Sequence, residues 1–349
     1  MKSAVVILNW NGRNFLEKYL PFLVEFTPKE NNEIIVADNG STDDSILFLR
    51  NNYPQIRLIE FDRNYGFTGG YNRALSQIDA EYFVLLNSDI RVTENWLDTI
   101  IGFMETIQNG GICMPKIKSE AKPRNFEYAG ACGGFIDRFG FPFCRGRILS
   151  SLEEDRGQYD TPREVFWASG ACMVVKSDLF RALGGLDESF FAHMEEIDFC
   201  WRARLLGYSA WVAPQSVVYH VGGGTLPNNS PHKLYLNYRN NLLMLYKNLP
   251  YRAGSRRSLL RRNSFILVRM TIDGLSAVAY LIQGKFAFFK AVIKAHSHFR
   301  KMKKSAPISP RLISYTNSAL KRLPGSYRGS IIFKFITGCR EFSKLGKIS

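Results

Sequence analysis

Three acidic residues lie within four positions of one another at the start of a predicted helix. Glu195, Glu196 and Asp198 begin a helical pattern that extends to about Leu206. In a helix, Glu195 and Asp198 share one face, whereas Glu196 points about 100° away from it. Asp198 also precedes Arg202 by four residues, which is the spacing of a structural ion pair. One carboxylate is therefore free to face a cleft as a general base, and a solvated acidic helix start is the alternative.

A second acidic group follows a predicted strand. The apolar run 82–86 leads directly into Asn87, Ser88 and Asp89. Asp89 could hold Mg²⁺ or Mn²⁺, because hard divalent cations bind carboxylate and phosphate oxygens. Such a metal would bridge the two phosphates of a nucleotide sugar and neutralise the leaving group. An Asx turn that caps the next helix is the alternative interpretation.

Asp38 and His220 also stand at the ends of predicted strands. The Asp38 carboxylate could accept a hydrogen bond from a pyrimidine base, while Ser41 or Thr42 could cap the helix that follows. His220 precedes the glycines at 222–224, which would let a phosphate group come close. A lone histidine is usually structural, so both roles of His220 stay open at this point.

Bringing these side chains together requires strands whose ends meet, and the sequence predicts such strands. Apolar runs alternate with amphipathic stretches, which implies βαβ units, a mostly parallel sheet and right-handed crossovers. Ligands of such sheets bind beyond the carboxyl ends of the strands, where the polar clusters fall. Residues 115–165 are interpreted as an irregular excursion over the substrate side. The predicted strands are 4–8, 34–37, 56–61, 82–86, 209–213 and 217–220, and the predicted helices are 15–23, 42–50, 66–78, 94–107 and 195–206.

The net charge of +15 over 349 residues is distributed unevenly. Residues 1–230 hold 22 basic and 29 acidic side chains, a net charge of −7, whereas residues 231–349 hold 24 basic and 2 acidic ones, a net charge of +22. An acidic body with a very basic tail indicates an anionic partner surface, either membrane or nucleic acid. The hydrophobic fraction of 46% excludes a disordered chain.

The cysteines and the N-terminus predict a cytoplasmic protein. The six cysteines form no C-x-x-C pair and no cluster with zinc spacing, which is typical of core residues in a reducing cytosol. The apolar run 4–8 is too short for a signal peptide, and no small-residue cleavage site follows it.

The basic third of the chain predicts helices that meet a membrane surface. Residues 265–282 are strongly apolar but contain Arg269 and Asp273, each of which would cost roughly 2.5–3.5 kcal/mol at a bilayer centre. An interfacial or protein-packed helix is therefore expected in place of a membrane span. The polybasic run 300–304 lies nearby, and each base contributes about 1 kcal/mol at an anionic leaflet. We expect residues 256–349 to dock on such a surface, with a solvated basic tail as the alternative.

Six motifs, in this order, resemble those of the inverting family 2 glycosyltransferases with the GT-A fold. The resemblance is strongest to bacterial rhamnosyltransferase-like members that build cell-surface polysaccharide, and it covers roughly residues 3–250. It implies an α/β, Rossmann-like catalytic domain at 1–230, with a nucleotide-sugar half at about 1–110 and an acceptor half at about 111–230. A basic, mainly helical region, 231–349, would follow. The motifs are Val5–Gly12, Val36–Asp43, Asn64–Asn72, Leu85–Asp89, Ser169–Ala171 and Phe190–Arg202.

The resemblance also implies roles for individual residues. Glu196 matches the base of the family, with Glu195 as the other candidate, and Asp38 matches the carboxylate that contacts the nucleobase. Asp89 matches the last aspartate of the D-x-D motif, which holds the metal and diphosphate, and His220 matches a histidine near them. The remaining residues expected on the nucleotide side are Asn9, Asn11, Asn64, Gly66, Asn72, Asn87 and Ser88. Those expected near donor sugar and acceptor are Trp167, Gly170 and Asp198.

Three departures from the family pattern refine these expectations. Asn87 occupies the first D-x-D position, where it is a weaker metal ligand than aspartate, and Glu196 replaces an aspartate as base. The Gln-x-x-Arg-Trp motif of processive synthases is absent from the sequence, which favours addition of a single sugar.

The function that the resemblance implies is a single, inverting sugar transfer. One sugar would pass from dTDP-rhamnose or a UDP-sugar to a hydroxyl of a lipid-linked saccharide, with Mg²⁺ or Mn²⁺, at the inner face of the plasma membrane. The alternative is a nucleic-acid-binding or scaffold protein with a degenerate transferase domain. The acidic body argues against nucleic acid as partner, since it would repel a phosphate backbone.

Overall fold

The structure, a computed structural model, describes residues 1–222, 229–250, 254–304, 320 and 323–349. Gly223 and Gly224, expected beside His220, lie outside the described residues. The strands are β1 (Ser3–Asn9), β2 (Asn32–Asp38), β3 (Arg57–Glu60), β4 (Tyr82–Asn87), β5 (Ile90–Val92), β6 (Gly110–Ser119), β7 (Gly134–Asp137), β8 (Pro142–Cys144), β9 (Arg147–Ile148), β10 (Ser151–Leu152), β11 (Arg163–Val165), β12 (Cys172–Lys176), β13 (Ser209–His220) and β14 (Ser326–Tyr327). The α-helices are α1 (Arg13–Phe26), α2 (Ser45–Asn52), α3 (Gly66–Leu75), α4 (Trp96–Glu105), α5 (Ser177–Ala182), α6 (Glu195–Leu205), α7 (Pro231–Asn248), α8 (Arg256–Ile282), α9 (Phe286–Met302) and α10 (Ile331–Ile336).

The larger sheet has the order β11-β13-β6-β12-β4-β1-β2-β3, and β5 pairs with β13. Its strands β4, β1, β2 and β3 are parallel, as the alternating pattern predicts. Residues 4–7 of β1 are buried, which explains why that strand is apolar throughout. Beyond β4 the sheet is mixed, because β12 runs antiparallel to both β4 and β6. The predicted α/β class is confirmed, and β6 and β13 form a further parallel pair.

Two predicted boundaries are wrong. The second helix begins at Ser45, with Asp44 as its N-cap, and does not begin at Ser41 or Thr42. The reason is that Ser41 Oγ accepts a hydrogen bond from the N–H of Asn11, and Thr42 N–H donates to Asn11 Oδ1, which keeps both residues in a loop. In addition, the two predicted strands 209–213 and 217–220 form one strand, β13, with an irregularity between Ala213 and Val217.

Residues 115–165 are not the irregular excursion that their composition suggested. Strand β6 extends to Ser119 and pairs with β13. Strands β10, β9, β8, β7 and β14 then form a second sheet in that order. Its strands β8, β9 and β10 have only two or three residues each, too few for a recognisable pattern, and β7 pairs with the distant β14 through Ile136 and Ser326.

The C-terminal helices pack directly on the first 230 residues. Residues 242–245 of α7 are fully buried and belong to the same apolar core as the larger sheet. On α8, Arg269 forms a buried ion pair with Asp273 at 2.9 Å and donates to the carbonyl of Gly140 at 3.2 Å. The core therefore continues across residue 230. Among the described residues, α8 is the one helix that is long and apolar enough to cross a membrane.

Candidate active site

The carboxyl ends of β1 and β2 bring Asn9 and Asp38 together. The parallel register pairs these two residues directly. Asn9 Nδ2 donates to Asp38 Oδ1 at 2.9 Å, and the N–H of Ser41 donates to Asp38 Oδ2 at 2.9 Å. Both Asn9 and Asp38 are fully buried, so the carboxylate is held rigidly at the floor of the strand ends. Contact between Asp38 and a base stays a prediction.

The turn after β1 forms further hydrogen bonds with the loop after β2. Asn11 has a left-handed backbone with φ of 50°, and its Oδ1 accepts the N–H of Thr42 at 2.7 Å. Trp10, which sequence reasoning missed, is exposed beside this network. Its position in the sequence could have indicated this exposure, because a tryptophan directly after a buried strand lies beyond the apolar core. Its exposed ring offers a flat apolar surface of the kind on which a base can stack.

Asn64 and Gly66 form a second turn at this edge, and Asn39 joins it to β2. Asn64 Oδ1 accepts the N–H of Gly66 at 2.7 Å and Nδ2 of Asn39 at 3.0 Å. Asn39, also missed, is buried and accepts the N–H of Tyr65 at 3.0 Å. Gly66 has φ of +72°, and a Cβ there would lie 2.5 Å from the ring of Phe191. Glycine is therefore required where this turn approaches the 190–194 segment.

Asn72 does not face a nucleotide, contrary to the expectation. Its Nδ2 donates to the carbonyl of Leu186 at 2.8 Å, and its Oδ1 accepts the N–H of Leu186 at 2.9 Å. This two-way bond occupies the amide group. Asn72 therefore positions the segment before α6 and is corrected from a binding role to a structural one.

Asp89, His220 and Glu127 form a buried row. His220 Nε2 lies 3.1 Å from Asp89 Oδ1, and His220 Nδ1 lies 3.3 Å from Glu127 Oε2. Strand pairing explains the first contact, since His220 of β13 pairs with Ile90 of β5, the residue after Asp89. Glu127 was missed, because it comes from a segment without a recognisable motif.

The charges in this row stabilise one another. Burial works against the imidazolium form of His220, but the hydrogen bond to Asp89 and the charge of Glu127 outweigh it and raise the pKa of His220 to about 10. Burial likewise works against ionised Asp89, and His220 outweighs it, so the pKa of Asp89 is lowered. Lys233 of α7 is close enough for Glu127 and Asp89 to stabilise its charge, although burial lowers its pKa overall.

The row fits part of a divalent-metal site. Among the described residues, no cluster of three or more His, Cys, Asp or Glu side chains has the arrangement of a complete metal centre. Asp89 supplies one carboxylate, and His220 becomes an imidazole ligand only when it releases the ring proton that Asp89 and Glu127 stabilise. An imidazole ligand commonly has a carboxylate at its other nitrogen. Two protein ligands suit an ion that also binds phosphate oxygens and water.

Asn87 and Ser88 connect this row to the rest of the cleft. The N–H of Asn87 donates to the carbonyl of Ala171 at 3.0 Å. A Cβ on Gly12 would lie 3.4 Å from Ser88 Oγ and 2.3 Å from Asn9 Oδ1, so Gly12 leaves the space between these two polar side chains open. Asn9 and Ser88 therefore lie on either side of Gly12 at the strand ends, and their contact with a nucleotide stays a prediction.

Glu195 and Glu196 are the first two residues of α6, and both are held in an apolar environment. The Oε2 atom of each is buried and has no hydrogen-bond partner in the described protein. Burial raises the pKa of Glu196 to about 7. Burial, and then the neighbouring charge of Glu196, raise the pKa of Glu195 well above its ordinary value. A carboxylate that titrates near neutral pH is suited to general-base catalysis.

Gly170 lies between Glu196 and the turn that contains Asp89. A Cβ at Gly170 would lie 3.7 Å from Glu196 Cβ and 3.3 Å from the ring of Phe67. The next residue, Ala171, is the hydrogen-bond partner of Asn87. Residues 170 and 171, directly before β12, therefore connect Glu196 with the 87–89 turn.

Trp167 and Asp198 do not face this cleft, which corrects two expectations. Trp167 is buried, and its Nε1 donates to the carbonyl of Phe135 at 3.0 Å. Asp198 is fully buried, with Arg202 Nε at 2.7 Å and Asn248 Nδ2 at 2.6 Å from its two oxygens. Asp198 thus anchors α6 to α7, as its spacing from Arg202 suggested.

Known protein structures share this fold. The chain is similar to GalNAc-T7, solved with UDP, GalNAc and Mn²⁺, at 12% identity and a TM-score of 0.57, covering 99% of this chain and 56% of that one. It is also similar to the mannosyltransferase PcManGT from Pyrobaculum calidifontis, solved with GDP-Man and Mn²⁺, at 15% identity and a TM-score of 0.52, covering 92% of this chain and 87% of that one. These likenesses show the GT-A type of α/β fold.

Sequence comparison shows the family. The chain is 26% identical over 247 residues to the N-acetylglucosaminyl-diphospho-decaprenol L-rhamnosyltransferase of Mycobacterium tuberculosis, covering 65% of this chain and 79% of that protein. It is 25% identical over 225 residues to the rhamnosyltransferase WbbL of Escherichia coli K12, covering 62% of this chain and 82% of that one. The family model "Glycosyl transferase family 2" matches residues 4–184, more than half of the chain. The protein therefore belongs to glycosyltransferase family 2, with relatives of the rhamnosyltransferase type.

Proposed function

We propose that this glycosyltransferase moves one sugar from a nucleotide-diphosphate sugar to a hydroxyl group of a saccharide acceptor, with inversion at the anomeric carbon. The single observation that carries the proposal is the buried Oε2 of Glu196, which has no hydrogen-bond partner in the described protein, beside Gly170 and Ala171, which lead to the Asp89 turn. A base on one side of a cleft and a diphosphate site on the other side suit a direct displacement.

Glu196 takes the proton of the acceptor hydroxyl as that oxygen attacks the anomeric carbon. The bond from this carbon to the acceptor oxygen forms on the face opposite the nucleotide, and the bond to the phosphate oxygen breaks with its electron pair. The nucleoside diphosphate leaves, and no covalent enzyme intermediate is needed. Glu195 is also buried at the start of α6, and burial together with the charge of Glu196 raises the pKa of Glu195.

Asp89 and His220 would hold the Mg²⁺ or Mn²⁺ ion. When bound, the ion supplies positive charge to the departing diphosphate. Glu127 orients His220 through the other ring nitrogen, at 3.3 Å. Two structures of similar fold were solved with Mn²⁺ and a nucleotide or nucleotide sugar, which supports a divalent ion here.

The named relatives support a rhamnosyl donor and a lipid-linked acceptor. One is named as a rhamnosyltransferase acting on N-acetylglucosaminyl-diphospho-decaprenol, and another as a rhamnosyltransferase. By likeness, we assign dTDP-rhamnose or a UDP-sugar as donor and a polyprenyl-linked saccharide as acceptor. One sugar is added at each encounter, in cell-surface polysaccharide synthesis.

A lipid-linked acceptor calls for a protein that stays at the inner membrane face, and α8 has a surface suited to this. Its buried face carries Arg269 and Asp273, which fix the helix to the body. Basic side chains flank the helix at both ends, including Arg257 and Lys285, and Asp273, the one acidic residue of α8, is buried. Helix α8 therefore lies along an anionic bilayer and does not cross it. Its outward apolar side chains are Leu260, Leu267, Leu275, Val278 and Ile282.

The experiment is a transfer assay with purified full-length protein. The wild-type protein is given dTDP-rhamnose, UDP-sugars and GDP-sugars in turn, with Mn²⁺ and a polyprenyl-diphosphate saccharide, and NMR determines the anomeric configuration of the product. We expect transfer from one donor with inversion, and a loss of at least about 1,000-fold in kcat for Glu196→Gln. Near-normal turnover by Glu196→Gln, or retention of configuration, would contradict the proposal.

A further inference from the structure

The turn that leads into α6 has an uncommon backbone conformation. Phe191, His193 and Met194 have φ angles of 65°, 69° and 73°, in a region that residues other than glycine rarely occupy. Glu195 and Glu196 follow directly as the first residues of the helix. The direction of both carboxylates therefore depends on a turn whose conformation is not a local preference of its residues, so contacts from elsewhere must hold it.

Asn240 of α7 provides such contacts. Its Nδ2 lies 3.0 Å from the carbonyl oxygen of Phe190, 2.8 Å from that of Ala192 and 2.8 Å from that of His193. Asn240 is fully buried, and Arg239 Nε donates to its Oδ1 at 2.8 Å, which fixes the orientation of the amide. The amide of Asn240 thus contacts three backbone oxygens of the turn.

Two further contacts make this arrangement rigid. Arg239 Nη2 donates to the carbonyl of Phe190 at 2.9 Å. On the opposite side, the carbonyl of Phe191 accepts the N–H of Phe67 at 2.8 Å, at the start of α3. The turn is therefore held between α3, which belongs to the nucleotide side, and α7, which lies beyond the part of the chain matched by the family model.

We propose that Asn240 is a positioning residue for sugar transfer, because its amide holds the 190–193 turn in the conformation that aims Glu195 and Glu196 into the cleft. The inference rests on the proposed function. An amide suits the task because its N–H groups meet backbone oxygens, whereas a carboxylate of the same shape has no proton to donate and repels them. Without the amide, the carbonyls of Ala192 and His193 lose a buried donor and the turn relaxes.

The test compares Asn240→Asp with Asn51→Asp, which makes the same change at an exposed position at the end of α2. For Asn240→Asp we expect kcat to fall about 100-fold, since small displacements of a reacting group have effects of that size. The KM for the nucleotide sugar should stay within about twofold, because Asp38 and Asn9 are untouched. Hydrogen–deuterium exchange should become faster in the peptide 187–199, and Asn51→Asp should match the wild-type protein in every measurement.

Two outcomes would overturn the inference. Wild-type kcat and exchange in Asn240→Asp would show that the amide does not hold the turn. A parallel loss of nucleotide-sugar binding would show a general structural role. If Asn240→Asp does not fold, Asn240→Ser, which keeps one hydrogen-bond donor, replaces it in the test. The inference then requires that kcat falls in Asn240→Ser while the KM for the nucleotide sugar stays close to the wild-type value. Absence of transfer by the wild-type protein would contradict the proposed function instead, and the exchange measurement would still decide whether Asn240 holds the turn.

Discussion

His220 Nε2 lies 3.1 Å from Asp89 Oδ1, although 131 positions separate the two residues in the chain. The contact arises because β13 returns antiparallel to β5, and His220 pairs with the residue that follows Asp89. Glu127 faces the second ring nitrogen, so a histidine between two carboxylates lies at the carboxyl end of the parallel strands. This geometry leads to the first prediction.

Glu127→Gln should weaken Mn²⁺ binding by about 10- to 100-fold, because a carboxylate at the far nitrogen orients an imidazole ligand and makes it more basic. Asp89→Ala should weaken binding at least as much. Isothermal titration with Mn²⁺ measures both, without any sugar substrate. Asp79→Ala is the control, because the Asp79 side chain is fully exposed to solvent. Equal Mn²⁺ affinity in Glu127→Gln and Asp79→Ala would show that Glu127 does not support the site.

Glu196→Gln should be more stable than the wild-type protein above neutral pH. The pKa of Glu196 is raised by burial from 4.5 to about 7, so the unfolded chain releases this proton at lower pH than the folded protein. Wild-type stability therefore falls as pH rises from about 4.5 to 7, whereas the glutamine does not titrate. Denaturant unfolding should show a gain of about 3 kcal/mol at pH 8 and only about 0.4 kcal/mol near pH 4.5. A gain that is the same at both pH values would contradict the raised pKa.

The proposed role of Glu196 as base also predicts a pH dependence of activity. Glu196 acts as a base only when ionised, so wild-type kcat should fall as pH decreases through about 7. The decline should follow one proton, or the two protons of the interacting pair with Glu195. A steady-state profile between pH 5 and 9 measures it, and a kcat that stays constant down to pH 5 would contradict the assignment.

The outward face of α8 should determine membrane binding. A double variant, Leu267→Gln with Leu275→Gln, should reduce flotation with vesicles that contain anionic lipid by about tenfold, because two apolar side chains no longer enter the interface. Leu47→Gln is a matched control, since Leu47 is 61% exposed on α2 and Leu267 is 65% exposed on α8. Unchanged flotation of the double variant, or binding to oligonucleotides in place of vesicles, would contradict the membrane assignment.

Arg269→Ala should destabilise the fold by about 3–5 kcal/mol, because it leaves Asp273 buried without its partner. The ion pair is buried on both sides, and Arg269 also binds Gly140 and Asn241. The double variant Arg269→Met with Asp273→Leu should recover much of the loss, since it removes both charges and keeps the volume. Urea denaturation measures these differences. A double variant less stable than Arg269→Ala would show that the pair itself is strongly stabilising.

Local pattern was enough to predict much of the site. Buried parallel strands are apolar over several consecutive residues, so β1, β2 and β4 can be recognised from short stretches. Their carboxyl ends must lie at one edge of the sheet, and the meeting of Asn9 with Asp38 follows from that geometry. The paired spacing of Asp198 and Arg202 also indicated their ion pair correctly.

Side-chain partners that come from distant segments could not be predicted in this way. Asn72 resembles a ligand-binding residue in the sequence, but Leu186 occupies its amide. From the sequence, Asp198 could face a sugar, but in the structure Asn248 of α7 donates a hydrogen bond to its carboxylate. Glu127 and Asn240 belong to no recognisable motif. Their contacts are visible only in the structure, where β13 brings His220 to Glu127 and α7 brings Asn240 to the 190–193 turn.

The sequence by itself therefore determined the α/β class, the edge of the sheet where chemistry takes place, and the acidic residues available there, because burial patterns and strand ends are local properties. Tertiary structure alone decided which polar groups remain free to act. A hydrogen bond with a distant residue occupies a polar side chain, as Asn248 does for Asp198, or holds a backbone segment, as Asn240 holds the 190–193 turn. That choice depends on packing between segments far apart in the chain.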